Sequence, residues 1–219
     1  NYNSDTGQIE SEMYYKDGKL DGMTTIWHAN GQIKSKMNYK ADELVFLANY
    51  NSDTGQIESE MYYKDGKLDG MTTTWHANGQ IKETVNYKDD KIDGMTISWT
   101  PSGLKNSEIN YKDGDIVSET RLKYYDNDQI ESVENFKNDK LNGEATFWYK
   151  NGQKSMEGEY KDQKPDGKWT LWFMRGQKDE ELNYKDGYLV DRTIFKYSFL
   201  TKQLKSKKKY KDDKCISGC

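Results

Sequence analysis

Apolar and polar residues alternate with a period of two along much of the chain, as in Ile33-Lys34-Ser35-Lys36-Met37-Asn38-Tyr39. That period sends successive side chains to opposite faces of an extended backbone and predicts β-strands. The strands recur on a fixed beat. An aromatic followed by Lys stands at Tyr15, Tyr39, Tyr63, Tyr87, Tyr111, Phe136, Tyr160, Tyr184 and Tyr210, spaced by 24, 24, 24, 24, 25, 24, 24 and 26 residues. Each anchor is followed by a turn-rich stretch, most fully Tyr15-Lys16-Asp17-Gly18-Lys19-Leu20-Asp21-Gly22, and then by a second landmark, Trp27-His28-Ala29-Asn30-Gly31-Gln32. Asp-Gly and Asn-Gly favour two-residue type I′ turns, because these residues accept positive φ and the turn matches the twist of the flanking strands. The unit is therefore a pair of strands, and helix is excluded by the density of turn dipeptides and by the β-branched and aromatic content.

If Asp17-Gly18 and Asn30-Gly31 are both two-residue turns, Tyr15 faces Leu20, Met13 faces Gly22 and Ile26 faces Ser35 on one side of the ladder. That side collects the anchors, Leu20, Leu68, Ile92, Leu141 and Leu189, and the residue two before each anchor, such as Met37, Val85, Ile109 and Leu182. It is expected to be the apolar face. Lys16, Lys19, Glu10, Glu12, Thr25 and Trp27 fall on the other, charged face. Gly22, Gly70, Gly94, Gly143 and Gly167 are expected to leave room beside the anchor rings.

Residues 1–40 and 49–88 match at 36 of 40 positions, a duplication of 48 residues. Segment 41–50 between them loses the glycines of the turn stretch and reads as the seam. Repeats at fixed period bury surface against their neighbours, so the expected fold is an all-β, elongated, single-layer antiparallel meander of tandem β-hairpins of about 24 residues. The array is expected over residues 1–190, with 191–219 a degenerate terminal repeat or cap ending in a basic tail, Lys205, Lys207, Lys208, Lys209 and Lys211. Lysines and an atypical last unit are common ways to blunt an open sheet edge.

Composition narrows the function classes. Leu, Ile, Val and Phe are about 16% of the chain, below the ~20% at which an ordinary core forms, so the 17 Tyr, 6 Trp and 6 Phe must supply buried area. Net charge is −4, which gives no general attraction to nucleic acid, and no polybasic surface precedes Lys205, so a membrane is not expected as a partner. Cys215 and Cys219 are the two cysteines, too few for a zinc site and placed for a tail disulfide or two free thiols. No basic-then-apolar leader begins at Asn1. A bacterial cytoplasmic location is expected, or an extracellular or cell-envelope one if a leader has been removed before Asn1 from a processed or recombinant fragment.

Taken together, Tyr-Lys-Asp-Gly-Lys-Leu-Asp-Gly, then Trp and Asn-Gly-Gln, on a 24-residue period, resemble the variant class of MORN repeats, and in particular the bacterial YwqK-like antitoxin family built from tandem copies of them. The resemblance spans about residues 1–190. It implies a hairpin array and, for the antitoxin members, neutralisation of a cognate protein toxin by direct binding. It supplies no catalytic residue to carry over.

The residues themselves point the same way. His28 and His76 are copies of one position without neighbouring ligands, and no metal or cofactor is expected. Asp17 and Asp21 with their copies have Lys and Leu where a calcium loop needs oxygens, which leaves Asp as a turn residue. Catalysis needs convergent groups at one place, whereas these groups recur in every repeat, so no enzyme is expected. Trp27, Trp75, Trp99, Trp148 and Trp172 form a column in a charged field, with Lys34 and Lys82 expected opposite the first two as cation–π partners. Two readings fit such a column: a shield for the backbone of a thin sheet, and a row of contacts for a protein partner. A structural or cell-surface scaffold is the alternative to a toxin-binding module, and open edge strands leave room for a homo-oligomer.

Overall fold

The computed structural model describes residues 1–2, 7–212 and 214–219, and every regular element among them is a β-strand. The chain divides into two units, Asn1–Val117 and Ser118–Cys219. In the first, Gly22–Trp27, Ile33–Lys40, Glu43–Tyr50, Ile57–Lys64, Gly70–Trp75, Ile81–Lys88, Gly94–Trp99 and Lys105–Lys112 pair antiparallel, each with the next. In the second, the meander runs through Ile130–Lys137, Lys140–Trp148, Lys154–Lys161, Lys164–Trp172, Lys178–Lys185, Tyr188–Tyr197, Leu204–Lys211 and Lys214–Ser217. The expected all-β antiparallel hairpin array is thus found in both units.

One of the two predicted reversals has the expected form. Asp17-Gly18 has φ of 50° and 78°, and Tyr15 pairs with Leu20 across it. Asp65-Gly66, Asp113-Gly114 and Asp186-Gly187 repeat it, and Ala41-Asp42, Asp89-Asp90 and Asn138-Asp139 adopt the same double positive φ without glycine. These are type I′ turns. The Asn-Gly reversal differs. His28 N–H donates to Gln32 O at 2.8 Å and Gly31 N–H to His28 O at 2.9 Å, and Gly31 alone takes the left-handed conformation, φ 84°. This is a three-residue loop with a glycine bulge, so the extra residue slips the register and Trp27 meets Ile33, while Ile26 still meets Ser35.

A second bulge follows each tight turn that carries a glycine two residues after its Leu or Ile. Tyr63 pairs with Leu68, yet Glu60 pairs with Thr73, so two extra residues are absorbed between Leu68 and Thr73. Gly70, at φ 119°, makes this possible, and a Cβ there would stand 3.2 Å from Tyr62 Cβ. The expected pairing of Met13 with Gly22 is corrected for the same reason. Glu12 pairs with Thr25, and Gly22 lies across from the following anchor, Tyr39; Gly70, Gly94, Gly143 and Gly167 likewise face Tyr87, Tyr111, Tyr160 and Tyr184.

The seam is a hairpin in its own right. Without glycine, its bulge takes up one residue, Val45, between the Tyr39–Leu44 and Asn38–Phe46 pairs, and its loop is one residue longer, with Asn51 N–H donating to Gln56 O. One residue lost and one gained keep the 24-residue beat.

Cross-strand partners project to the same side of a sheet. On the anchors' side lie Tyr39 and Met37, with the Tyr39 hydroxyl 3.5 Å from Met37 Sδ, and the buried Val85, Ala145 and Trp169. The other side is not purely charged: Ala48, Thr73, Thr193 and Phe195 are buried there. The expected division into one apolar and one charged face is therefore corrected. Burial follows position along the strand, because a mid-strand side chain is walled in by its neighbours on both adjoining strands.

Candidate partner-binding surface

Each tryptophan of the predicted column closes its strand: Trp27, Trp75, Trp99, Trp148 and Trp172 are the last residues of Gly22–Trp27, Gly70–Trp75, Gly94–Trp99, Lys140–Trp148 and Lys164–Trp172. All five are half-buried. The loop bulge sets their partners, which are Ile33, Ile81, Lys105, Lys154 and Lys178. Lys34 and Lys82 are therefore not opposite Trp27 and Trp75. Among the described residues, the cation that stands over a tryptophan ring is Lys154, its Nζ 5.9 Å from the centre of Trp172 on the next strand.

Side chains from one loop fasten the next. His76 Nε2 lies 2.9 Å from Trp99 O, and the hydroxyls of Tyr125 and Tyr149 donate to Trp148 O and Trp172 O at 2.7 Å. Asn78 Nδ2 donates to Pro101 O at 2.6 Å and Asn151 Nδ2 to Met174 O at 2.9 Å, while the Asn78 and Asn151 carboxamide oxygens accept from Gln80 N–H and Gln153 N–H. Each Asn thus shapes its own loop and binds the following one, which a turn preference alone does not reveal. His28, an exact copy of His76 in sequence, has its Nε2 buried without a partner. Its loop faces the longer seam loop, which opens on Tyr50, whereas that of His76 faces a loop that opens on Trp99.

The aspartates act at the opposite strand ends. Leu20 N–H and Leu68 N–H donate to Asp42 Oδ1 and Asp90 Oδ1 at 2.7 Å, and Asp186 N–H donates to Asp166 Oδ1 at 3.0 Å. Asp93 binds Lys112 at 2.8 Å, and this ammonium together with the Asp113 N–H holds its carboxyl below the usual range. These residues join one tight turn to the next; no group of three or more His, Cys, Asp or Glu able to hold a metal lies among the described residues.

The anchors Tyr39, Tyr63, Tyr87, Tyr111, Phe136, Tyr160 and Tyr184 are half-buried, whereas Tyr15 is 62% exposed. Burial raises the pKa of Tyr63 and Tyr160. The sixth tryptophan, outside the predicted column, is the most deeply placed: Trp169 is 3% exposed, its indole N–H donates to Glu159 O at 3.1 Å, and its ring meets Tyr160 edge-on at 4.9 Å. A Cβ on Gly158 would lie 2.1 Å from Trp169 Cδ2. The sequence signal was Gly158 standing where six of the other repeats carry Met, Val, Ile or Leu.

Two open hollows flank the column at equivalent places. One, about 290 Å³, is lined by Gln8, Ile9, Glu10, Trp27, His28 and Ala29; the other, about 110 Å³, by Gln56, Ile57, Glu58, Trp75, His76 and Ala77 together with Asn51 and Thr54. Cys215 and Cys219, open between disulfide and free thiols in sequence, form a disulfide at the last strand.

No curated protein matches the chain. Among solved structures, the crystal structure of TcdB2-TccC3 is similar at 10% identity with a TM-score of 0.25, covering 94% of this chain and 14% of that one. The chain thus spans about a seventh of that structure's length, and fold and function here rest on other observations. The profile of the MORN repeat variant matches residues 20–41, 68–89, 120–138 and 141–162. Each match runs from the strand after one tight turn, around the next loop, to the first residue of the following tight turn at Ala41, Asp89, Asn138 or Asp162. Four MORN repeat variants are therefore found in this chain, laid out as loop-closed hairpins.

Proposed function

We propose that the chain is a non-enzymatic protein-binding module, an antitoxin or immunity protein that neutralises a cognate toxin in the bacterial cytoplasm by covering it with the tryptophan-bearing strand ends. The observation that carries this reading is the row of half-buried tryptophans, of which Trp99, Trp148 and Trp172 have their backbone carbonyls fastened by the preceding loop, a preorganised aromatic surface of the kind that concentrates binding energy. The repetition of the same groups in hairpin after hairpin favours recognition over chemistry at one centre. The near-identity of residues 1–40 and 49–88 also favours a second reading, a cell-surface scaffold in which length itself is useful.

Purification from the native host separates the two. An antitoxin brings down a single protein at nanomolar affinity, lost on Trp148→Ser and Trp172→Ser, and co-expression rescues growth from that protein's toxicity. Recovery of the chain at the cell surface with no captured effector would overturn the antitoxin reading.

A further inference from the structure

We propose that two copies of this chain stack face to face on the tryptophan side of the first unit, about a two-fold axis that runs along the seam strand Glu43–Tyr50. The duplication sets a different strand on each side of the seam. Ile33–Lys40 and Ile57–Lys64 share the pattern Ile-x-Ser-x-Met-x-Tyr-Lys, but the first carries Lys34 and Lys36 where the second carries Glu58 and Glu60. Lys36 and Glu60 both lie across from Ala48, and Lys34 and Glu58 both take the bulge position that follows Ile33 and Ile57. Through Ala48 the row of cross-strand partners reads Thr25, Lys36, Ala48, Glu60 and Thr73. The exposed Met23 and Met71 stand two residues before the outer threonines, and the half-buried Trp27 and Trp75 two residues after them. About the seam the outer side chains match in size and the inner ones reverse in charge.

Matched sizes and opposite charges suit an isologous contact, because each residue there meets the one equally far on the other side of the axis. Lys36 of one copy meets Glu60 of the other and Lys34 meets Glu58, each twice, while Thr25 meets Thr73, Met23 meets Met71 and Trp27 meets Trp75. Within one chain Lys36 and Glu60 stand two strands apart, about 10 Å, and the near neighbour of the Lys36 ammonium is the Tyr50 ring, its centre 5.9 Å away. Stacked sheets also lie about 10 Å apart, a gap that Lys and Glu side chains reaching toward each other close. Such sheets cross at about 30°, which at one strand spacing from the axis displaces facing side chains by only ~2–3 Å, so the ion pairs beside the seam tolerate the twist.

The middle of the face offers apolar surface around those charges. Ala48 is buried between Lys36 and Glu60, the Phe46 and Tyr62 rings meet at 5.2 Å, and Tyr62 is exposed beside them. Other placements of the axis match less well. About Gly70–Trp75, Glu60 would face Thr84; about Gly22–Trp27, Lys36 would face Glu12, and Ser11–Glu12 is the last named strand on that side among the described residues. Stacking at the seam covers Trp27 and Trp75 and leaves Trp99, Trp148 and Trp172 to a protein partner, so it goes beyond the protein-binding reading without depending on it.

The test is sedimentation equilibrium of the full chain, with intermolecular disulfides excluded on a non-reducing gel. The expected species has twice the chain mass and dissociates more readily as salt is raised. The Lys34→Glu, Lys36→Glu variant and the Glu58→Lys, Glu60→Lys variant each set like charges against each other, and the dissociation constant is expected to rise at least ~100-fold in both. Mixing the two variants in equal amounts restores a dimer containing one of each, as does placing all four substitutions in one chain, and that recovery shows that the variants are folded. Carbodiimide coupling of the unaltered chain is expected to give a covalent dimer with Lys36 joined to Glu60, identified in the tryptic peptide 41–64. A chain that sediments as a monomer at about 0.1 mM would overturn the proposal. So would a dimer that survives either charge reversal, variants that stay monomeric on mixing, or coupling of Lys36 to Glu12 in place of Glu60.

Discussion

Along the line of cross-strand partners that passes two residues before each anchor, the two units are built from different side chains. In the first unit the line runs through Thr24, Met37, Leu47 and Met61, then Thr72 and Val85, then Thr96 and Ile109. Thr alternates with Met, Val or Ile except at the seam, where Leu47 takes the place of the Thr, so all but that hairpin solve their packing in the same way. In the second unit the line passes Arg121, Glu134, Ala145 and Gly158, then Trp169, Leu182, Arg192 and Tyr210. Here an indole fills the space above a glycine, and Arg121 pairs with Glu119 while its guanidinium lies 4.2 Å from the Phe136 ring centre. The backbone plan survives both solutions. At the Trp169 place it keeps a sum of volumes across neighbouring strands, Gly158 with Trp169 in one unit and Val85 with Thr96 in the other, and is indifferent to which strand carries the bulk.

The largest expected effect tests that sum. Trp169→Ala removes the most buried aromatic and is expected to cost ~3–5 kcal/mol in urea unfolding. Gly158→Val places atoms inside the indole and is expected to cost at least ~3 kcal/mol, at the upper end of overpacking. The double variant Trp169→Thr, Gly158→Val restores the first unit's combination of Val85 with Thr96 on the next strand, and the cycle is expected to show a coupling of ~2 kcal/mol or more in the favourable direction. Additive losses would show that volume complementarity is not what relates the units.

The same exchange run in reverse sharpens the comparison at smaller cost. Thr96→Trp alone is expected to destabilise the first unit by ~1–3 kcal/mol because Val85 already fills the space, and adding Val85→Gly is expected to recover most of it. Melting temperatures of the two variants read this directly.

Within the first unit the two copies of one histidine differ by a single bond. His76→Ala is expected to cost ~1 kcal/mol more than His28→Ala, since it releases Trp99 O while His28 Nε2 has no partner to lose. Equal losses would mean that ring packing, and not the loop tie, is what the position supplies.

The smallest effect is electrostatic and lies in the second unit. Hydrogen bonds from Lys178 and Lys168 hold the Glu181 carboxyl below its ordinary range, and Asn183 with Lys209 does the same for Asp191. A lowered folded-state pKa gives stability that is present above the unfolded-state value and lost as pH falls through the folded one. Both lysines at Glu181 are substantially exposed, so the contribution is ~0.2–1 kcal/mol. Glu181→Gln is expected to lower the neutral plateau of the melting temperature against pH by that small contribution and to leave the acid end nearly unchanged, which flattens the acid limb. Asp179, raised by burial, acts in the opposite sense on the same strand and narrows the net slope.

Much of this was legible in the residues. The period, the anchors and Asp17-Gly18 as a type I′ turn came from local chemistry, because alternation and positive φ are properties of short segments. The bulges were not, since Gly70 in a strand reads equally as room for a ring and as a register shift, and only the partner strand distinguishes them. The tryptophan column was visible as a column, but its partners depended on whether Asn30-Gly31 closes a two- or a three-residue loop. Trp169 was missed because its meaning lies in Gly158, eleven positions earlier, and volume exchange between strands leaves no mark in either segment alone. The ties from His76 and Asn78 were hidden for the same reason: each acts on a carbonyl 23 residues away.

The duplicated hairpins also set a problem for refolding. Residues 9–40 and 57–88 differ at four positions, so a denatured chain can thread the earlier copy where the later one belongs and keep nearly every local contact. Such a misthreaded species is a kinetic trap of the kind repeat arrays are prone to. The segment it must leave looped out includes the seam, whose single-residue bulge and longer loop match neither the two-residue bulge nor the shorter loop of the copies on either side. Closure of that odd hairpin is thus the proofreading event that tells one copy from the other.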